Sequence, residues 1–267
     1  MCKAFTLLNI SQSYHNMRFL VYNIRYATGH NNGYHLPLPY SGFFRSTHRN
    51  LKDIIDFIHS SSPDVIGLVE VDSGSYRSGR SCQAQMISHA LGYSHVVETK
   101  YGNRLFTSHV PVLNKQCNAL LTRKGVNRHR FHYFSEGIKR LIIEAEIDSI
   151  AFFIVHLSLK YRHRQYQLQR LHQLVKETEQ PVMIGGDFNT FWGSNELELF
   201  LAASGLQTAN LDNIPSHPSH APQRQLDFIL HSKEIEIDDF WVPDIQLSDH
   251  SPLLCDFSLR TSVCPSA

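Results

Sequence analysis

Six short apolar runs in this chain end in an acid, an amide or an imidazole. Each such end, taken alone, is typical of a solvated strand end or an ordinary turn. Polar groups at the ends of neighbouring strands meet at one edge of a sheet, so six of them in one chain favour a functional site there. The six ends are Tyr22-Asn23, Leu68-Val69-Glu70, Ile154-Val155-His156, Ile184-Gly185-Gly186-Asp187-Phe188-Asn189, Leu226-Asp227-Phe228 and Ser248-Asp249-His250.

Hydrophobic periodicity predicts many strands and few helices. Helices are predicted at residues 51–60, 83–91 and 162–179. Strands are predicted at residues 18–24, 64–69, 95–98, 118–122, 140–147, 150–156, 181–184, 226–230, 235–241 and 253–257. Because a sheet must cover its apolar face, this balance predicts two packed sheets with helices on their outer faces.

The length of the chain favours one domain. With 267 residues and 42% hydrophobic content, it can bury a substantial core. No internal repeat or low-complexity linker divides it. We expect a folded domain at residues 17–260, a disordered extension at residues 1–16 with Met17 as an alternative start, and a tail at residues 261–267.

Charge and cysteine content exclude several classes of protein. Lys and Arg number 25 against 24 Asp and Glu, a net charge of +1, so no global basic field holds nucleic acid and an anionic substrate must be bound locally. The five cysteines show no C-x-x-C pair, which disfavours a disulfide framework and a structural zinc site. We therefore expect a soluble, cytoplasmic protein, monomeric and without a transmembrane segment or signal peptide.

The order of the motifs resembles that of the endonuclease/exonuclease/phosphatase superfamily, over residues 18–257. This superfamily includes deoxyribonucleases, abasic-site endonucleases, bacterial sphingomyelinases, inositol polyphosphate 5-phosphatases and tyrosyl-DNA phosphodiesterases. The resemblance implies an α/β (α+β) fold of two mixed β-sheets packed face to face and flanked by helices, in four layers. The matching residues are Asn23 in YNIRY, Glu70 in DVIGLVEV, Asn118 in CNALLTR, His156 in VHLSL, Asp187 and Asn189 in GGDFN, Asp227 in QLDFIL, and Asp249 and His250 in LSDHSPL.

The resemblance implies a Mg²⁺-dependent phosphoesterase, with Mn²⁺ or Ca²⁺ as substitutes. Hard cations take carboxylate oxygen, so Glu70 is the first expected metal ligand, Asn23 lies beside it by analogy, and Asp249 binds directly or through water. The attacking water would be oriented or deprotonated by Asp187, while Asn189 donates to it or to phosphate.

Two histidines complete the expected catalytic set. Asp227 would fix the tautomer of His250 and favour its imidazolium form. His156 would act as general acid or stabilise charge in the transition state. Histidine at this place is similar to the deoxyribonuclease-like and sphingomyelinase-like members, whereas abasic-site endonucleases usually carry tyrosine.

The substrate is less constrained than the reaction. Lys160, Arg162, His163 and Arg164 follow His156 and are either an anion-binding patch or a solvated helix face. Arg25, Tyr26 and Asn118 are further candidate substrate ligands. The first long loop carries aromatic and basic side chains that could meet bases or lipid, namely Tyr26, Tyr34, Tyr40, Phe43, Phe44 and Arg45.

Three functions remain open on the sequence alone. The first is a phosphoesterase, mono- or diesterase, that acts on a lipid head group or another small ester and contacts the membrane peripherally. The second is a DNA or RNA nuclease, for which a basic strip beside the site is expected. The third is an inactive binding protein on the same scaffold, which the intact set of catalytic positions disfavours.

Overall fold

The computed structural model describes residues 16–29, 47–100, 115–137 and 139–260. The predicted extension, apart from Asn16, and the predicted tail lie outside these ranges, as do the loop residues Tyr34, Tyr40, Phe43, Phe44 and Arg45. No helix among the described residues is long and apolar enough to cross a bilayer.

Within the described ranges, twelve strands form two mixed, six-stranded sheets. The strands are β1 (Met17–Asn23), β2 (Val65–Asp72), β3 (Ser94–Thr99), β4 (Gln116–Thr122), β5 (Arg128–Tyr133), β6 (Leu141–Ile147), β7 (Ile150–His156), β8 (Val182–Asp187), β9 (Gln207–Thr208), β10 (Asp227–His231), β11 (Ile235–Trp241) and β12 (Leu253–Leu259). The first sheet has the order β11-β12-β1-β2-β4-β3 and the second the order β5-β6-β7-β8-β10-β9.

In the part of the chain that the structure describes, four α-helices cover the outer faces of the sheets. They are α1 (His48–Ser61), α2 (Gln83–Leu91), α3 (Tyr161–Lys176) and α4 (Glu198–Ser204). Ile54 and Ile58 of α1 and Ile87 of α2 pack on the first sheet, and Leu168 and Leu171 of α3 pack on the second. The structure therefore has the four layers that the sequence predicts.

The core between the sheets explains why the central strands are apolar along their whole length. Alternate side chains of β1 face opposite ways, so Phe19 and Val21 enter the inter-sheet core while Leu20 and Tyr22 pack towards the helices. Phe19 meets Phe152 of the second sheet edge to face, with ring centroids 5.3 Å apart.

The sequence prediction missed two strands and one α-helix, and several predicted ends differ from those of the structure by one to three residues. Strand β5 reads RHRFHY, and its polar residues hide the apolar alternation. The two-residue strand β9 is too short for periodicity, and α4 has only seven residues. Helix α3 ends at Lys176 rather than at residue 179.

Strand directions bring the polar ends together. Strand β1 runs parallel to β2, and β7 runs parallel to β8, so the carboxyl ends of each pair lie at one edge. The antiparallel β10 begins at that edge, where Asp227 pairs with Asp187 in register. The backbone topology therefore assembles a polar rim from distant parts of the chain.

Candidate active site

Asp187, the last residue of β8, is the centre of the polar cluster. Its Oδ2 accepts a hydrogen bond from Asn23 Nδ2 at 3.0 Å and lies 3.2 Å from His156 Nε2 and 3.9 Å from His250 Nε2. Burial opposes ionisation of this carboxyl, but the neighbouring His156, His250 and Lys139 hold its pKa well below the usual range. Asp187 is therefore a carboxylate surrounded by donors.

The turn after β8 fixes the Asp187 carboxylate. Its Oδ1 accepts the backbone N–H of Asn189 at 2.9 Å, and Asn189 Nδ2 donates to the carbonyl of Leu157 at 2.8 Å. Gly186 has φ +151°, and a Cβ there would overlap the carbonyl oxygen of Val155 on β7. The amide donor of Asn189 is thus engaged with the protein, which places this residue in the support of Asp187.

His250 and Asp227 form a buried pair. His250 Nδ1 lies 2.7 Å from Asp227 Oδ2, and Ser216 Oγ donates to the same oxygen at 2.6 Å. Burial works against the imidazolium, but the carboxylates of Asp227, Asp187 and Asp249 raise the pKa of His250 to about 10. Burial also raises the pKa of Asp227. The pair therefore holds one proton at neutral pH, and the surrounding carboxylates place it on His250.

His156 is a buried histidine between two lysines. Burial and the ammonium groups of Lys139 and Lys100 lower its pKa to about 3. Lys100 Nζ lies 3.3 Å from Nδ1, while Nε2 contacts Lys139 and lies 3.2 Å from Asp187 Oδ2. The ring is therefore neutral at neutral pH, and it has a single N–H to donate.

Glu70 lies on a β-bulge that turns its side chain into the site. The register of β2 against β4 shifts between Leu68 and Val71, and Glu70 has φ +55°. Such a left-handed conformation is rare for a residue with a Cβ and is typical of functional positions. The bulge therefore explains how an alternating strand presents Glu70 at the rim.

Three cationic or imidazole groups surround the Glu70 carboxylate. Its Oε1 lies 3.7 Å from Lys139 Nζ and 3.9 Å from His156 Nε2. Burial opposes its ionisation, but Lys100, Lys139 and His156 lower its pKa to about 2. Lys139 also contacts His156 Nε2, and the charges of Glu70 and Asp187 draw its ammonium to this point.

Asn118 lies in β4 at the level of the bulge and is 1% exposed. Among the described residues, neither the nitrogen nor the oxygen of its side-chain amide has a hydrogen-bond partner. Buried polar groups of this kind nearly always form a hydrogen bond to the protein, to bound water or to a ligand. The position of Asn118 is consistent with a role in binding, which the sequence had proposed for it.

Asp249 lies beside Arg25 and two histidines. Its Oδ2 lies 3.4 Å from Arg25 Nε, and it forms a cluster with His250 and His217. The rings of His217 and His250 have centroids 4.7 Å apart. Among the described residues no ion pair joins Asp249 to Glu70, and its role as a metal ligand, directly or through water, stays a prediction.

The basic segment after His156 divides into different environments. Lys160 and Arg162 are exposed, and Arg162 stacks on the Tyr166 ring of its own helix. Arg164 is 1% exposed and donates to Glu196 at 3.0 Å and to the carbonyl of Leu159 at 2.6 Å. Since its donors are directed to the protein, Arg164 is structural here, and the sequence expectation of substrate binding does not fit its position.

Tyr26 lies beside the site in a left-handed turn after β1, with φ +57°. The guanidinium of Arg77 lies 3.9 Å from the centre of its ring, and Lys100 Nζ lies 5.4 Å from it. The Asp72 carboxylate in turn accepts from Arg77 Nε at 2.5 Å. Tyr26 is therefore held from behind by a buried ion pair.

Sequence reasoning missed four residues of the cluster: Lys100, Lys139, His217 and Ser216. Lys100 follows β3, and Lys139 precedes β6, where a lysine carries no distinctive signal. His217 and Ser216 come from the proline-rich loop at residues 211–225, where no motif distinguishes them. Their proximity to Glu70 and His250 depends on tertiary packing.

The chemistry of the donor set fits a divalent cation. Buried carboxylate and amide oxygens from Glu70, Asn23 and Asp187 lie at one rim, with the unpartnered Asn118 amide nearby. Hard cations such as Mg²⁺ prefer such oxygens, and the ammonium of Lys139 already occupies a position beside Glu70 that favours positive charge. The described residues form two further acid and histidine groups with metal-ligand spacing, Asp187–Asp227–His250 and His217–Asp249–His250.

Comparison with known proteins gives a family match and several similar folds. The model of the endonuclease/exonuclease/phosphatase family matches residues 20–250. A family protein from Bacteroides thetaiotaomicron has a similar structure, with a TM-score of 0.71 and 14% identity over 93% of this chain and 99% of that chain. A mannosyl-6-phosphatase from the same organism is also similar, with a TM-score of 0.67 and 14% identity over 91% of this chain and 100% of that chain.

One curated relative is similar in sequence over part of its length. The UPF0294 protein VP2298 of Vibrio parahaemolyticus is 29% identical over 120 residues, which are 42% of this chain and 41% of the relative. The match therefore spans less than half of that protein.

Proposed function

The chain belongs to the endonuclease/exonuclease/phosphatase family, and we propose that it is a metal-dependent hydrolase that cleaves a phosphate ester with water. The observation that carries this proposal is the position of Asp187. Its carboxylate accepts a hydrogen bond from the Asn23 amide. It also faces two histidines in different protonation states, neutral His156 and positively charged His250. A carboxylate between two such donors fits an attack by water at phosphorus.

Asp187 is the residue that orients the nucleophile. With its pKa held far below the usual range, the carboxylate accepts a hydrogen bond from water without taking the proton before attack. The Asn189 N–H and Asn23 amide fix the direction of its two oxygens. The attacking water is therefore positioned by geometry, the largest part of catalysis in phosphoryl transfer.

The two histidines have different parts in the proposed reaction. His250, positive and held by Asp227, stabilises negative charge on the non-bridging oxygens and can give its Nε2 proton to the leaving oxygen. His156, a neutral ring whose Nε2 lies 3.2 Å from Asp187, stabilises charge in the transition state. Glu70 and Asn23 would hold a divalent ion, which would supply further charge neutralisation at the phosphate.

The test is a hydrolysis panel with Mg²⁺, Mn²⁺ and Ca²⁺ over plasmid DNA, RNA, sphingomyelin, phosphoinositides, glycerophospholipids and sugar phosphates. We expect one class of ester to be cleaved, with activity lost in EDTA. Asp187→Asn and His250→Ala should each lower turnover by at least roughly a hundredfold. Glu70→Gln should raise the metal concentration that half-saturates activity.

Matched controls separate chemistry from folding. His59→Ala and Glu236→Gln change exposed side chains of the same types away from the rim. Melting temperatures of all variants report folding. Near-wild-type turnover in His250→Ala, or hydrolysis that persists in EDTA, would contradict the proposal, as would failure to cleave any ester of the panel.

A further inference from the structure

Four apolar side chains are exposed on two loops at the rim of the site. Leu159 and Tyr161 follow β7, which ends at His156, and they are 62% and 53% exposed. Phe191 and Trp192 follow β8, which ends at Asp187, and Trp192 is 82% exposed. We refer to these four residues as the rim patch. Large exposed apolar groups clustered beside a site are typical of an interaction surface.

The two loops are held together by one buried ion pair. Arg164 Nε donates to Glu196 Oε2 at 3.0 Å, and Arg164 Nη1 donates to the Leu159 carbonyl at 2.6 Å. The other oxygen of Glu196 accepts the backbone N–H of Trp192 at 3.0 Å. Because both loops are attached to the same pair, the rim patch is presented on a fixed backbone, and its exposure is a property of the fold.

Basic side chains flank the rim patch. Lys160 and Arg162 are exposed beside Leu159 and Tyr161, and the Arg224 guanidinium lies 5.8 Å from the centre of the Phe191 ring. Glu196 is neutralised by Arg164, and the exposed acids nearby are Glu198 at the start of the adjacent α4 and Glu136, whose charge acts on Arg162. Tryptophan, tyrosine and leucine beside lysine and arginine are the composition of surfaces that enter the head-group region of anionic membranes.

We propose that the rim patch docks the protein on an anionic phospholipid surface, so that the phosphate ester entering the site belongs to a lipid head group. This inference rests on the proposed function and names its substrate class. A nucleic acid strand would require aromatic rings together with an extended basic track. Leu159 offers no ring for stacking, and the net charge of +1 supplies no such field, so the lipid surface fits better.

The experiment measures vesicle binding separately from hydrolysis. Full-length wild type, and His250→Ala to avoid turnover, are floated with vesicles of phosphatidylcholine alone or mixed with phosphatidylglycerol in equal parts. We expect binding to the mixed vesicles. The double variant Leu159→Ser/Trp192→Ala should weaken it at least roughly tenfold, and Lys160→Gln should weaken it roughly fivefold.

Leu211→Ser is the matched control because Leu211 is 80% exposed on the loop after β9, the edge strand of the second sheet, and is not one of the four residues of the rim patch. It should bind vesicles like wild type. Absence of binding to the mixed vesicles, or equal binding by the double variant and wild type, would overturn the proposal. Binding of a single-stranded oligonucleotide that is lost in the double variant, without vesicle binding, would replace it with a nucleic acid surface.

Hydrolysis of a water-soluble ester distinguishes the two proposals. A protein that cleaves soluble esters but does not bind vesicles retains the proposed function and loses only the lipid surface. A protein that binds vesicles through the rim patch but cleaves no ester retains the docking surface and loses the hydrolase function.

Discussion

At the scale of single residues, the two histidines of the site differ in charge. His156 and His250 both face Asp187, yet two lysines keep the first neutral while carboxylates keep the second protonated. Burial alone would make both histidines neutral. The difference comes from the charges around each ring, Lys139 and Lys100 for His156 and above all Asp227 for His250.

The first prediction concerns Asp227→Asn. Loss of this carboxylate removes the main charge that raises the pKa of His250 to about 10. In the wild type, turnover that needs the imidazolium should persist until the pH approaches this value, and in the variant the alkaline limb should move towards the ordinary histidine pKa of 6.5. A pH–rate profile measures this shift, with the exposed Asp238→Asn as control. An unmoved alkaline limb would contradict the assignment.

The same pair makes stability depend on pH. Because the pKa of His250 is raised in the folded state, its stabilising contribution is complete below the unfolded value of 6.5 and is lost as the pH rises towards about 10. The melting temperature of the wild type should therefore fall between these values more steeply than that of His250→Ala. Equal slopes for the two proteins would show that this pair does not govern the alkaline loss.

The second prediction concerns Lys139→Met. The Lys139 ammonium lies 3.7 Å from Glu70 Oε1, and a divalent ion bound to Glu70 would experience its repulsion. Removing this charge should tighten Mg²⁺ binding by roughly tenfold and lower the melting temperature of the metal-free protein. Isothermal titration calorimetry and thermal melts in EDTA test both effects, with Lys124→Met as control. Weaker Mg²⁺ binding in Lys139→Met would sink this explanation.

At the scale of elements, the close approach of strands limits which residues fit. Gly185 of β8 faces β1 across the inter-sheet core, and a Cβ there would lie 2.7 Å from Cζ of Phe19 and would overlap a methyl group of Val21. Strand β8 carries Asp187 two residues later. The spacing of the two sheets at this point therefore also positions the Asp187 carboxylate.

The third prediction is that Gly185→Ala destabilises the protein by about 1 to 3 kcal/mol, the usual result of inserting a methyl group into a packed core. Gly125→Ala is the control because nothing lies within 4 Å of a Cβ at that position. Urea denaturation of both variants gives the difference in unfolding free energy. A Gly185→Ala protein as stable as the Gly125→Ala protein would show that the sheets adapt there.

At the scale of the whole molecule, the two sheets depend on one shared core. Phe152 of the second sheet packs on Phe19 and Phe257 of the first, with ring centroids 5.3 and 6.3 Å apart, and it is fully buried. Neither sheet can keep its inner face covered without the other. The polar residues of the candidate site lie at the edge where strands of both sheets end.

The fourth prediction follows from this shared core. Phe152→Ala should cost about 3 to 5 kcal/mol, as for other buried phenylalanines, and should lower the stability of both sheets at once. We expect far-UV circular dichroism and tryptophan fluorescence to report the same denaturation midpoint in wild type and variant. Exposed Phe191→Ala should leave the midpoint nearly unchanged. Separate midpoints for the two probes would indicate that the sheets unfold independently.

The sequence alone determined the class of fold and predicted most of the side chains that the structure brings together in the candidate site. Apolar runs that end in polar residues are visible without coordinates, because strand periodicity and the apolar content of doubly buried strands are local properties. Asn23, Glu70, His156, Asp187, Asp227 and His250 could therefore be assembled from motif order before their contacts were known. The sequence prediction missed β5 and α4, because the composition of β5 and the short length of α4 give little local signal.

Tertiary structure alone decided the charges and the partners within the site. Lys100 and Lys139 have no distinguishing pattern in the sequence, yet their ammonium groups lower the pKa of His156 and the pKa of Glu70. The burial of Arg164 against Glu196 likewise converts an apparent substrate ligand into a support for two loops. Electrostatic energies depend on distance and on burial, and folding fixes both between residues that are far apart in the chain.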